Sequence, residues 1–300
     1  MAIVRGADPL DLTLSGKPEE ASRPLGSRLR RWLPIWIGAC MAVGMVVMAA
    51  AAPLIAPVSP SAQFGDAVLK GPGALDRHWL GTDEFGRDVL SRIIWGARVS
   101  LEVGLASVLF AFAVGVPMGI LAGVRGGRVE TLIMRCADML MAFPTLLLAL
   151  IIVTALGGSL INEMVAIGIA LTPNFVRLSR SLALTIREQD YIMAARALGS
   201  GQIRVMARHV FPNALYALVV VATLYIATAI RTEASLSFLG LGIPPPTPSW
   251  GNILSDGRQY IKCCPWITTF SGLAIMLAVL AFNVVGDALR DLLDPRLRGE

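Results

Sequence analysis

Six apolar runs divide this chain of 300 residues, and each is long enough to cross a lipid bilayer. A hydrocarbon core of ~30 Å needs about 20 helical residues to span it. The runs are Leu33 to Ala52, Val99 to Val124, Met139 to Leu156, Met164 to Leu184, Ala214 to Ile230 and Pro265 to Val285. Only 16% of the residues are charged and 55% are hydrophobic, against roughly 25% charged in soluble domains. The expected fold class is therefore all-α: a polytopic membrane protein with six transmembrane helices. Arg177 and Arg180 fall in the last turns of the fourth run and are placed at the water interface, where long side chains can snorkel. Ala49 to Ala52 before Pro53 has the look of a signal-peptide cleavage site. The run ahead of it is too long for an h-region of ~7–15 residues, so an uncleaved first span is expected.

Charge orients these runs. With the N-terminus in the cytoplasm, the cytoplasmic segments hold 18 of the 26 Lys and Arg residues and the outer segments hold eight. The positive-inside rule then places both termini in the cytoplasm. The net charge of +5 is read as a topology signal. The basic residues are split among separate loops, which argues against a nucleic-acid partner.

Between Ile186 and Asn213 the apolar chain turns charged. Two short helical patterns appear, Gln189 to Leu198 and Gln202 to His209, separated by Gly199-Ser200-Gly201. Glycine stops a helix at little cost and permits a sharp turn, and Pro212 is expected to end the second helix. Tyr191, Ala194, Ala195 and Leu198 share one face, as do Ile203, Met206 and Val210. A unit this small cannot bury those faces alone and needs a partner surface.

This stretch resembles the EAA loop of the membrane subunits of ABC importers, whose pattern is Glu-Ala-Ala, three residues, Gly, nine residues, Ile-x-Leu-Pro. The matches are Ala194, Ala195, Gly199 and Pro212; the departures are Met193, His209 and Phe211. The run Arg208 to Asn213 is similar to the peptide/nickel branch of that superfamily. His78 to Leu101 resembles the segment leading into the transport core of peptide-permease C subunits. Asp138 with Ala142-Phe143-Pro144, the stretch from Ala234 to Asn252 and the ending Asp294 to Glu300 match the same family, so the resemblance covers about residues 78 to 298. It implies an ATPase-coupling loop built from Tyr191, Ala194, Ala195, Arg196, Leu198, Gly199, Arg204, Arg208, His209 and Pro212. It also implies the partners: a homologous permease subunit, two ABC ATPase subunits that carry ATP-Mg, an extracytoplasmic solute-binding protein and the lipid membrane.

The intervening segments carry further expectations. Residues 1–31 read as a disordered cytoplasmic tail, 32–95 as the first span with an outer loop, 96–290 as the transport domain and 291–300 as a second cytoplasmic tail. Thr82 is a plausible N-cap, and Phe85, Val89, Ile93 and Trp95 could lie on the membrane surface as an amphipathic helix. Gly115, Gly119 and Gly123 allow close helix approach, with intramolecular packing favoured. Pro117, Pro144 and Pro173 are candidate helix breaks, and Arg135 and Asp138, three apart, are placed to pair. Four prolines exclude a continuous helix through Pro244 to Pro248. Arg231 and Glu233 should face the bundle interior or water, either as an ion pair or along a substrate path. Cys263 and Cys264 are adjacent, and small apolar fillers are favoured there over a strained disulfide.

Catalytic chemistry has no foothold in the sequence. Gly16-Lys17-Pro18 lacks the Ser/Thr of a P-loop. His78 and His209 are the two histidines and neither carries a nucleophile-elbow pattern; no metal-ligand spacing occurs. The chain is expected to bind no cofactor and no metal. An inner-membrane permease subunit for di- or oligopeptides is the leading expectation. A nickel or other small-solute importer of the same family is the alternative, and an ion-coupled transporter a more distant one.

Overall fold

The computed structural model describes residues 25–74 and 78–293; of the tails expected at 1–31 and 291–300, residues 1–24 and 294–300 lie outside them. In chain order the helices are α1 (Leu25–Ala50), α2 (Ala52–Ile55), α3 (Val89–Arg125), α4 (Gly127–Met141), α5 (Thr145–Leu156), α6 (Leu160–Arg187), α7 (Asp190–Ala197), α8 (Gln202–Val205), α9 (Phe211–Phe238), α10 (Trp250–Gly257) and α11 (Trp266–Leu293). Among the described residues there is no strand, only a lone bridge between Thr82 and Asp88. Helix α1 begins at Leu25, so the last residues of the expected disordered tail are helical.

Among the described residues three apolar helices are long enough to cross a bilayer: Val89–Arg125, Gln202–Phe238 and Trp266–Asp291. The pair α4 and α5, bent by 89°, makes a fourth if taken as one broken span. Helix α6 has the length, but Asn162, Glu163, Asn174 and Arg177 dilute its apolar character.

Several boundaries differ from the sequence reading. Helix α3 starts at Val89, capped by Asp88, whose carboxylate accepts from the Ser91 amide at 2.7 Å. The stretch read as a surface helix is thus the first part of a 37-residue rod, with Val89 and Ile93 buried. Thr82 caps nothing; its hydroxyl donates to the Ala67 carbonyl. The expected span from Met139 is broken at Ala142–Pro144, because proline lacks a donor and disfavours helical geometry in Phe143. Helices α3 and α6 run unbroken through Pro117 and Pro173. Nor does Pro212 end a helix. It sits in the first turn of α9, behind a π-turn at Met206–Val210. A wider turn removes the clash between the proline ring and the preceding turn, so the chain stays helical from Gln202 to Phe238.

The closest packing joins α3 to α6. A Cβ on Gly119 would lie 2.0 Å from Ser179 Oγ and 2.3 Å from the Val176 carbonyl oxygen. On Gly115 it would meet Phe175 Cβ at 2.8 Å, and on Gly123 Ala183 Cβ at 2.7 Å. Glycines at four-residue spacing form one groove along α3, and α6 fills it with backbone. The contact is intramolecular. Around it lies the main core, from Val103 and Phe175 to Leu218 and Leu236. A second cluster packs α1 and α11 about the buried Trp250, whose Nε1 donates to the Ile93 carbonyl at 3.0 Å.

Helix α4 packs Ile133 and Ala137 against Val176 of α6 and Ala122 of α3, and charge adds to this contact. Arg177 Nη2 donates to Asp138 Oδ1 at 2.6 Å, and Arg180 Nε to Glu130 Oε1 at 2.6 Å. The expected Arg135–Asp138 pair does not form, because Asp138 faces α6. Both Arg177 and Asp138 side chains are about half exposed, so that link contributes about 0–1 kcal/mol. Gly119→Leu should destabilise the fold by about 1–3 kcal/mol or more through overpacking, seen as a lower melting temperature of the purified protein. Gly44→Leu, where a Cβ meets nothing within 4 Å, should leave it near that of the wild type.

Candidate functional site

Two sites stand at opposite ends of the bundle. Helix α3 connects them, because Ile93 near its start meets Trp250 and Gly123 near its end accepts from Arg187 Nη1 at 2.7 Å.

At the Arg187 end the first expected short helix forms as α7, whereas the second, expected over Gln202 to His209, is the start of the continuous helix that runs from α8 into α9. Gly199 adopts φ +86° with open space where a Cβ would be, a region that suits glycine. The Ser200 amide donates to the Ala195 carbonyl at 3.0 Å and the Gly199 amide to that of Arg196 at 2.9 Å, so the turn closes α7 in the manner of a glycine C-cap. Three aliphatic side chains, Ile192, Val205 and Val210, are fully buried and tie the loop to the main core. The sequence reading placed Val210 on an apolar face but passed over Ile192 and Val205. The signal available was that β-branched residues recur among charged ones.

What the anchors leave outside is apolar as well. Leu198 is 88% exposed and Ile203 82%. Tyr191, Ala194, Arg196, Arg204, Arg208 and Pro212 are also exposed, Ala195 and His209 half-buried. The Tyr191 and His209 rings lie 6.2 Å apart, which brings α7 against the π-turn. The loop is therefore anchored from behind by buried side chains and leaves Leu198 and Ile203 without cover.

At the other end, buried charge organises the turn before α3. Asp83 is fully buried. Its Oδ1 accepts from the amides of Phe85 (2.9 Å) and Arg87 (2.8 Å), and its Oδ2 from Arg87 Nε (2.6 Å) and from Arg92 Nη1. Arg92 Nη2 continues to Asp256 Oδ2 on α10 at 3.1 Å, and Arg87 Nη2 to Glu84 Oε1 at 3.0 Å. Burial pushes the Glu84 carboxyl above its ordinary range and the neighbouring Asp83 and Asp256 push it further, opposed by a backbone hydrogen bond and Arg87. Nearby, His78 Nδ1 and Asp88 Oδ1 are 3.0 Å apart. Losing one partner of such a buried group typically costs about 3–5 kcal/mol. The sequence carried one trace of this network, the four-residue spacing of Asp83 and Arg87; Asp256 is too distant in sequence to be paired by pattern.

Of the two roles open to Arg231 and Glu233, an ion pair or a place on a substrate path, the ion pair does not form. Residues two apart on a helix face different sides. Glu233 is fully buried and accepts from Ser100 Oγ and Ser237 Oγ, each at 3.0 Å, whereas Arg231 is exposed. Glu163, buried on α6, holds two carboxylate oxygens without a partner among the described residues. Cys263 and Cys264 are free thiols.

Residues 115–299 match the family described as the binding-protein-dependent transport system inner membrane component. The chain belongs to that family. Its relatives include the dipeptide transport system permease protein of Alkalihalophilus pseudofirmus, 45% identical over 87% of this chain and 86% of that protein. The di/tripeptide transport system permease protein of Pseudomonas aeruginosa is 47% identical over 85% of both. Among solved structures, an inward-facing form of the MetNI methionine ABC transporter aligns with a TM-score of 0.57 at 20% identity, covering 68% of this chain and 97% of that one. At that identity the likeness concerns the fold.

In a transport subunit the Gly199 turn fixes the angle between α7 and α8. Gly199→Val should reduce transport at least tenfold while the protein reaches the membrane in normal amount, because its cost lies in the backbone rather than in a clash. Gly199→Asn, which tolerates positive φ, should retain most activity. Uptake assays normalised to membrane abundance compare the two.

Proposed function

We propose that this chain is a permease subunit of an ATP-driven importer that carries di- or oligopeptides across the bacterial inner membrane. The observation that carries this reading is the 45–47% identity to dipeptide and di/tripeptide permease proteins across at least 85% of either chain. The partners are a homologous permease subunit, two ATPase subunits that bind ATP-Mg, and an extracytoplasmic solute-binding protein.

The mechanism is mechanical. Leu198 and Ile203 seat the 188–213 loop in the ATPase subunits, with Tyr191, Arg196, Arg204 and Arg208 around them. The anchors Ile192, Val205 and Val210 make the loop move with the bundle. Closure of the ATPases on ATP then displaces α9 and α6 together, rocking the path between inward-open and outward-open states. Covalent chemistry belongs to the ATPase partners.

Six spans complete the topology: α1, α3, the α4–α5 pair, α6, α9 and α11, with both termini and the 188–213 loop in the cytoplasm. The excess of Lys and Arg on that side supports this orientation. In a cysteine-free background, a cysteine at Gln202 should be labelled only from the cytoplasm and one at Thr247 only from outside; labelling of both from one side would refute it. Thr247 is exposed and so open to the reagent.

Cargo is tested by deletion. A strain without this subunit should fail to grow on a dipeptide as sole source of a required amino acid, with nickel-dependent enzyme activity intact. Loss of nickel-dependent activity with normal peptide uptake would assign the importer to nickel instead.

A further inference from the structure

A cavity of about 430 Å³ opens between the end of α5, the Gly240–Thr247 segment and α10. Its size falls in the range of small-ligand sites. It lies at the end of the bundle opposite the coupling loop. Val153, Leu241 and Pro245 give it apolar walls, and Arg87 and Asp256 also line it.

The polar groups have unspent capacity of both signs. Arg87 uses Nε on Asp83 and Nη2 on Glu84; among the described residues its Nη1 makes no hydrogen bond. Asp256 uses Oδ2 toward Arg92, and its Oδ1 makes none among the described residues. Arg87 Nη2 and Asp256 Oδ2 are 3.5 Å apart, longer than the ~2.7–2.9 Å of a strong charge-assisted bond. Their pairing is thus loose enough to yield to a ligand. Both groups are nonetheless fixed in place, because Asp83 holds Arg87, and Arg92 holds Asp256. The Asp256 side chain is 36% exposed and that of Arg87 10%.

The chemistry of the walls narrows the ligand. Pro244, Pro245 and Pro246 have no N–H, so that wall offers acceptors and no backbone donors. A bare anion would meet Asp256, with Glu84 and Asp83 behind the arginines. A bare metal cation would meet two guanidinium groups. A zwitterion satisfies both signs at once: its ammonium finds Asp256 and the carbonyls, and its carboxylate finds the guanidinium, a group whose planar fork suits carboxylates.

We propose that this cavity is a transfer site for zwitterionic peptides of two or three residues, with Asp256 Oδ1 taking the N-terminal ammonium and Arg87 Nη1 the terminal carboxylate. The proposal rests on the peptide-importer reading above. It adds a stop for the peptide on this subunit, at the end of the bundle where cargo would enter.

The test uses the intact importer with its binding protein in lipid nanodiscs and proteoliposomes. The probe is a dipeptide with free termini and a diazirine side chain. Mass spectrometry after illumination should find adducts at Thr154, Leu241 or Thr247. Asp256→Asn should cut that labelling and dipeptide uptake at least fivefold, and Thr154→Trp, which fills the cavity from its α5 wall, should do the same. Asp66→Asn, at an exposed site away from the cavity, should change neither. An N-acetylated probe should not label the cavity even when supplied at high concentration. Normal labelling in Asp256→Asn, or no cavity adducts in a complex that imports the dipeptide, would overturn the transfer site alone. So would a loss of binding-protein docking that matches the loss of uptake, since the cavity would then be a docking contact. A wild-type complex that imports no peptide would overturn the cargo reading and the site with it.

Discussion

The backbone of α6 lies in the glycine groove of α3, and the rest of the molecule is arranged around that contact. Gly115, Gly119 and Gly123 each remove a side chain where α6 passes. Gly168 returns the favour from α6, since a Cβ there would lie 2.6 Å from the Phe110 ring. In lipid no hydrophobic force draws helices together, so close van der Waals contact has to supply the attraction. Here it also sets position. With α3 and α6 fixed, the loop after α6 and the charged turn before α3 are held at known distances from each other.

Charge is distributed by how well it can be shielded. The network of Asp83, Arg87, Arg92 and Asp256 is largely buried, and the Asp83 carboxylate accepts four hydrogen bonds in it. Such a network adds little net stability but admits few alternative arrangements. The pairs joining α4 to α6 are more open to solvent, weaker and easier to part. One end of the bundle is therefore locked by electrostatics, while at the other the ion pairs only supplement the apolar packing of Ile133 and Ala137 on α4 against Ala122 and Val176.

Much of this was legible in the sequence, and the failures share a cause. Hydropathy located every long apolar helix, and glycine spacing located the groove on α3 though not the helix that fills it, because both signals are local. Helix ends were missed where polar residues continue a helix beyond the apolar run, as at Val89 and past Val285. Pro212 misled because the sequence does not reveal a π-turn, and the Arg231–Glu233 pair because closeness in sequence is not a shared face. Glycine punctuation marked the loop at Gly199, while the anchors Ile192 and Val205 depend on where α6 delivers the chain. Asp256 joins Arg92 across 164 residues, a separation no spacing rule reaches.

Helix α9 gives the two ends of the molecule a mechanical relation. It starts beside the buried anchor Val210 and ends at Phe238, just past Ser237, which lines the cavity. Its 28 residues make a rod about 42 Å long at ~1.5 Å per residue. A tilt of about 5° about one end would carry the other through about 4 Å, roughly the width of a methyl group. The π-turn at Met206–Val210 keeps the helix continuous where proline would otherwise have cut it. A leverage of that size lets a small angular change at one end of the bundle alter the fit of a cavity at the other.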